Sequence, residues 1–244
     1  MRDAPPNQRG RFITFEGGEG TGKSTQTRRL VDHLAAIGID AIATREPGGS
    51  PGAEALRHLL LAGAVAPLGP AAEALVFSAA RIDHLDATIR PALARGAFVV
   101  CDRFADSTRA YQGALGNLDP RLIRALERVT VGETRPDLTI ILDLPAEIGL
   151  ARAGARRPAG APDRFESEDL AFHQALRSTF LEIAAGEPER CVVIDATRSE
   201  EAVAAAIWEA VATRLLAGVH SAQRRGRGRA SGRARRSHAQ RERA

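Results

Sequence analysis

Five short apolar runs punctuate the chain, at residues 11–15 (RFITF), 41–44 (AIAT), 97–101 (AFVVC), 138–142 (LTIIL) and 191–194 (CVVI). Each has strand length and is bounded by polar or turn-forming residues, so each reads as a buried strand. Between them the apolar positions recur with helical spacing. Residues 25–37 predict one helix, with Gly38 where a glycine commonly ends a helix. Residues 71–95 predict a long second helix that Pro91 kinks or interrupts. Asp119-Pro120 opens a third, with Asp as the cap and Pro at the first helical position. A fourth opens at Ser167-Glu168-Asp169-Leu170 and runs to about residue 185, and residues 199–216 form the last. Strands alternating with helices imply a parallel sheet covered on both faces.

The turn after the first strand carries the chemistry. Gly17-Gly18-Glu19-Gly20-Thr21-Gly22-Lys23-Ser24 fits G-x-x-x-x-G-K-[ST], with a strand before it and a helix after it. In such a P-loop the glycines let successive backbone N–H groups turn inward as an anion nest, and the next helix adds its positive end. Lys23 is then placed to reach the β- and γ-phosphates of a nucleoside triphosphate, with Thr25 among the nucleotide-binding residues, and the Ser24 hydroxyl to help hold Mg2+. The predicted fold class is therefore α/β: a P-loop NTPase with three α/β/α layers and a five-stranded parallel sheet surrounded by helices. Asp102 directly follows AFVVC, so its carboxylate emerges at the carboxyl edge of the sheet, where open α/β sheets bind ligands. It is the candidate second metal contact.

Composition sharpens this reading. At 244 residues and 44% hydrophobic, the chain supports one sizeable α/β core. Residues 11–217 are read as that domain, residues 1–10 as a flexible N-terminus, and residues 218–244 as a basic disordered tail of low complexity. The net charge is +4, yet residues 221–244 hold nine Arg and one Glu, which leaves −4 for the rest. An argument for nucleic-acid binding is thus confined to the tail. Of 34 Lys and Arg residues only Lys23 is a lysine. A compact ammonium differs from a planar guanidinium, and its single use inside the P-loop marks a position that needs it. Cys101 and Cys191 fit no metal or disulfide spacing and read as buried hydrophobes. No apolar run reaches membrane-spanning length and residues 1–10 have no signal-peptide core, so a cytoplasmic protein is expected.

Further stretches narrow the class. FEGGEGTGKSTQ (15–26), TREPGGS (44–50), FSAARIDH (77–84), DRFADSTRAYQG (102–113), DRFE (163–166) and VIDA (193–196) occur in an order and spacing that resemble the thymidylate kinase family over roughly residues 10–216. Phe77 and Arg81, at i and i+4 of a predicted helix, share one face. The resemblance implies that Phe77 stacks on thymine and that Arg81 donates to a base carbonyl. It implies that Arg45 and Arg103 clamp the acceptor phosphate, a dianion suited to bidentate Arg. Glu19 is similar to an acidic residue near the sugar 3′-hydroxyl and the metal. Tyr111, the only tyrosine, is placed where a ribose 2′-hydroxyl would sit, and Thr108 and Gln112 are base or phosphate contacts. His84, one turn beyond Arg81, is placed to orient it. Residues 153–162 (AGARRPAGAP) read as a mobile loop and match the family's lid, about 152–164. Members with a basic residue inside the P-loop have it where this chain has Gly20; the resemblance places the catalytic arginine in the lid instead, with Arg156 the first choice, supported by Arg152, ahead of Arg157 and Arg164. Phe104 departs from the Tyr or His common there.

The implied activity is transfer of the γ-phosphoryl of ATP to dTMP, with Mg2+, in a homodimer. Two alternatives stay open on the residues alone. One is a kinase for another nucleoside monophosphate or a deoxynucleoside. The other is a P-loop NTPase switch that binds nucleic acid through the basic tail, against which the TREPGG and AYQG segments argue.

Overall fold

A computed structural model describes residues 9–156, 165 and 167–216, without the side chain of Arg156. Five parallel strands form one sheet in the order β2-β3-β1-β4-β5. They are β1 (Phe12–Glu16), β2 (Ala41–Arg45), β3 (Phe98–Asp102), β4 (Leu138–Asp143) and β5 (Cys191–Asp195). The central strand is buried at every position, and its pleat sorts side chains to two faces. Ile13 and Phe15 join Leu30 and Leu34 of α1 (Lys23–Ala36) and Val203, Ile207 and Val211 of the C-terminal helix (Glu200–Val211) in one core. Phe12 points the other way, into a core with Leu85, Ile89, Val99 and Phe104. Thr14 on that same side pairs its hydroxyl with Thr139 of β4 at 2.8 Å, so neither buried polar group is orphaned.

All five predicted strands are present, but two are not buried throughout. Every residue of β2 is partly or fully exposed, and β5 buries only Cys191 and Ile194. Both are edge strands, covered less completely than the centre, which a short apolar run does not reveal.

The helical stretches diverge more. The stretch 71–95 is α3 (Pro70–His84), a π-type turn (Leu85–Ile89) and α4 (Arg90–Ala94). Pro91 cannot donate the next ladder bond, and the widened turn ahead of it absorbs that loss while the helical path continues. A helix at Pro51–Leu61 (α2) has no counterpart among the predicted elements. Its N-terminus is capped from α3: Asp83 accepts from the Ser50 hydroxyl (2.6 Å) and the Ala53 N–H (3.0 Å). A short α5 (Ala105–Thr108) continuing into a π-type segment (Arg109–Leu115) also follows β3. Helix α6 (Pro120–Thr130) begins as predicted, with Asp119 accepting from the Arg121 N–H at 2.8 Å. Helix α7 (Ala146–Arg156) runs into the stretch read as a loop, so residues 153–156 are helical. Helix α8 (Leu170–Gly186) is capped by Asp169, and α9, the C-terminal helix, by Ser199. Among the described residues no helix is long and apolar enough to cross a membrane.

Candidate active site

The ends of β1, β2 and β3 open onto one cavity of about 310 Å3. It is lined by Gly20, Thr21, Gly22, Lys23 and Ser24 of the P-loop and, in the same concavity, by Arg45, Phe77, Arg81, Arg103, Thr108 and Tyr111. Donor-side and acceptor-side residues predicted separately therefore share a single space.

The P-loop geometry is set by backbone freedom. Gly22 caps α1 in the left-handed conformation (φ 93°). Gly20 (φ 67°) lies so close to α7 that a Cβ would overlap the Gly149 carbonyl oxygen, and a Cβ on Gly149 would overlap the Glu19 carbonyl. The Lys23 ammonium turns back onto the loop, donating to the carbonyls of Gly18 (2.7 Å) and Gly17 (3.1 Å). Burial, with repulsion from Arg103, lowers its pKa to about 8 against the pull of Glu19 and Asp102, so it stays largely cationic at neutral pH. Ser24 donates to Asp102 at 2.5 Å, joining two of the three predicted metal contacts, Glu19 being the third, at the mouth of the loop. Thr25, Gly17 and Gly18 do not line the cavity among the described residues; the two glycines act through their carbonyls.

Arg103 follows β3 with φ 68°, a backbone region unusual for Arg. Its guanidinium donates to Glu19 (2.5 Å), the Gly17 carbonyl (3.1 Å) and Ser107 (3.3 Å). Tyr111 donates to the same Glu19 oxygen at 2.9 Å, with Arg103 over its ring at 5.3 Å. Burial opposes ionisation of Glu19, but Arg103, Lys23 and the Tyr111 hydroxyl outweigh it and bring its pKa to about 2. The structure thus pairs Glu19 with Arg103 and Tyr111, whereas Ser24 and Asp102 pair with each other. Arg45, at the exposed end of β2, is held by Glu54 at 2.8 Å.

Arg81 is 3% exposed and reaches the cavity wall from α3, one turn beyond Phe77. It donates from Nη2 to Thr108 (3.0 Å) and the Phe104 carbonyl (3.2 Å). Two predicted contacts lie elsewhere. Gln112 is buried with its amide 3.4 Å from Glu73, and Arg152 donates to the Ala196 carbonyl at 3.1 Å; neither lines the cavity. Gln112 lies on the π-type segment after α5 and Arg152 on α7, neither of which was among the predicted helices. The Arg156 side chain, Arg157 and Arg164 lie outside the described residues.

Several cavity residues had no assigned role. Glu46 and Pro47 sit in the TREPGGS segment, and Arg57 and Leu61 come from the unforeseen α2, whose signal was Ser50-Pro51 followed by Ala53, Leu56 and Leu60 at helical spacing. Phe165 of the DRFE segment meets Tyr111 edge-on at 5.4 Å and lies 6.1 Å from Phe77. Glu16, fully buried below the site, accepts from the Phe104 N–H (2.8 Å) and from the Ser107 hydroxyl (2.7 Å) and N–H (3.2 Å), so it fixes the turn that carries Arg103. Burial, with the neighbouring Asp106 charge, pushes its pKa up to about 7.

A P-loop at the carboxyl edge of a five-stranded parallel sheet, facing a cavity lined by Arg45, Arg57, Arg81 and Arg103, defines a P-loop NTPase fold. Residues 15–207 match the family model described as thymidylate kinase. The chain is 62% identical over 208 residues to a thymidylate kinase of Bradyrhizobium diazoefficiens, covering 85% of this chain and 91% of that protein. It is 61% identical over 219 residues to a thymidylate kinase of Nitrobacter winogradskyi, covering 88% and 95%. A crystal structure of thymidylate kinase from Ehrlichia chaffeensis superposes with a TM-score of 0.66 at 33% identity, covering 83% of this chain and 99% of that one. The chain belongs to the thymidylate kinase family, enzymes that phosphorylate dTMP with ATP as donor.

Proposed function

We propose that this chain transfers the γ-phosphoryl of ATP directly to dTMP inside the shared cavity, and that its residues divide the work as follows. The P-loop amides and Lys23 hold the triphosphate. Arg45 and Arg103 offset the repulsion between the two phosphate groups and bring them together. Phe77 stacks on the base, Arg81 and Thr108 meet its polar edge, and Tyr111 with Glu19 bounds the sugar and excludes a 2′-hydroxyl. The acceptor is already an anion at neutral pH, so positioning and charge neutralisation suffice without a strong general base. A lid arginine, Arg156 first, completes the charge on the transferred group and lid closure excludes water.

The observation that carries this reading is the juxtaposition of Lys23 and Ser24 with Arg45, Phe77, Arg81 and Arg103 around one cavity. The touching oxygens of Ser24 and Asp102 fit a hard cation. No group of three or more His, Cys, Asp or Glu able to hold a metal occurs among the described residues, so the remaining ligands would be phosphate and water, as Mg2+ prefers. Mg2+ bound there would neutralise charge on the β- and γ-phosphates. We also place the protein in the cytoplasm, its folded unit at residues 11–217 and its working state as a homodimer. The last is supported by exposed apolar side chains on α2 (Leu59), α3 (Leu75, Ile82) and α6 (Val129).

A coupled ADP-release assay across dTMP, dUMP, UMP, dCMP, AMP, GMP and thymidine tests the reading. ADP should appear fastest with dTMP and not above background with thymidine. Equal rates without any monophosphate, or stimulation by DNA or RNA instead, would overturn it.

A further inference from the structure

Arg81 is held by more than its cavity neighbours. Glu46, at the end of β2, accepts from Arg81 Nε at 2.8 Å through Oε2. Its other oxygen, Oε1, lies 3.1 Å from Nδ1 of His84. A carboxylate only accepts, so Nδ1 carries the proton. His84 Nε2 in turn lies 2.6 Å from the Thr44 hydroxyl on β2. The ring is fully buried, and Gly49 closes over it: a Cβ there would overlap both His84 Nε2 and Thr44 Oγ1. Glu46 is itself tied down, its N–H donating to the Asp102 carbonyl at 2.9 Å.

The result is a guanidinium fixed at two of its three corners. Nε is taken by Glu46, and Nη2 by Thr108 and the Phe104 carbonyl. Among the described residues Nη1 has no partner, on a side chain that lines the cavity. A planar fork pinned at two corners cannot rotate, so the third corner has one direction.

We propose that Glu46 and His84 are positioning residues for acceptor specificity: they lock Arg81 so that Nη1 presents one immovable N–H donor to the position-4 substituent of a pyrimidine. This rests on the reading of Arg81 as the base contact. Thymine and uracil carry a carbonyl at that position and accept the bond, whereas cytosine carries an amino group and sets donor against donor. Discrimination of this kind depends on the donor being unable to move aside.

The test compares kcat/KM for dTMP, dUMP and dCMP in the full chain and in Arg81→Leu, Glu46→Gln, His84→Leu and His84→Asn, with thermal melting of each. Asn puts an amide N–H near the place of Nδ1 and so keeps the bond to Glu46. We expect the dTMP/dCMP ratio to fall by about tenfold in Glu46→Gln and His84→Leu, the size of one charge-assisted hydrogen bond. The fall should come mainly through KM for dTMP, with dUMP following dTMP, and His84→Asn should recover most of it. Should the ratio hold in Glu46→Gln and His84→Leu while Arg81→Leu collapses it, the locking role is wrong and the base contact stands. A loss of melting temperature with an unchanged ratio also contradicts it, since that is a purely structural effect. If Arg81→Leu itself leaves the ratio unchanged, the base-contact reading fails first.

Discussion

Lys23 shows how much one side chain decides. Its ammonium is buried, hydrogen-bonded to two loop carbonyls and poised beside Glu19 and Asp102. Lys23→Met keeps the stem and removes the charge, so turnover should fall by roughly 10^2–10^3-fold, the scale seen for lost transition-state electrostatics, while the melting temperature stays near that of the parent. Steady-state kinetics beside a thermal melt checks both halves. The buried Glu16 and the half-buried Glu19 near Arg103 make a second residue-scale prediction. Glu16 has a pKa raised from 4.5 to about 7, so its contribution to stability is complete below 4.5 and is lost as pH rises through 7. Glu19 has a pKa lowered to about 2, so its contribution is complete above 4.5 and is lost as pH falls towards 2. Carboxyl-detected NMR should find one glutamate midpoint near each value; Glu16→Gln should remove the upper and Glu19→Gln the lower.

Among elements, the P-loop meets α7 backbone to backbone. A Cβ on Gly20 would overlap the Gly149 carbonyl, and one on Gly149 the Glu19 carbonyl, so the two backbones meet where neither position tolerates a side chain. Gly149→Ala should cost about 1–3 kcal/mol, as overpacking does, and weaken ATP binding more than dTMP binding; chemical denaturation and separate titrations of the two nucleotides measure this. An arginine at position 20 would meet the same backbone. Gly20 was legible as a glycine of the motif, but Gly149 was not, because its requirement is set by Glu19, 130 positions away. The same contrast runs through the fold. Strands, caps at Asp119, Asp169 and Ser199, and Asp102 at a strand end follow from local pattern. Helix α2 was missed although its spacing was present, since its cap comes from Asp83 on another helix. The positions of Gln112 and Arg152 depend on tertiary partners, and a helical wheel says nothing of which neighbour each one meets.

For the whole molecule, Leu75 and Ile82 are seven residues apart on α3 and both exposed, at 56% and 40%. A helix returns to the same face at that spacing. If a second copy covers them, Leu75→Glu with Ile82→Glu should convert a dimer to a monomer in light scattering without altering the near-ultraviolet spectrum of the fold. The net −4 of residues 1–220 against the +8 that follows is a separate matter of charge. Removing residues 218–244 should leave kcat/KM for dTMP within about twofold and abolish any salt-sensitive retention on a polyanion. The central claim is narrower than either: one cavity joins triphosphate and monophosphate so that the phosphoryl group passes directly between them. Incubation with γ-labelled ATP and dTMP, followed by separation of the products, tests it most directly. Label should appear in dTDP in step with ADP formed; label released as inorganic phosphate, at a rate indifferent to dTMP, would rule direct transfer out.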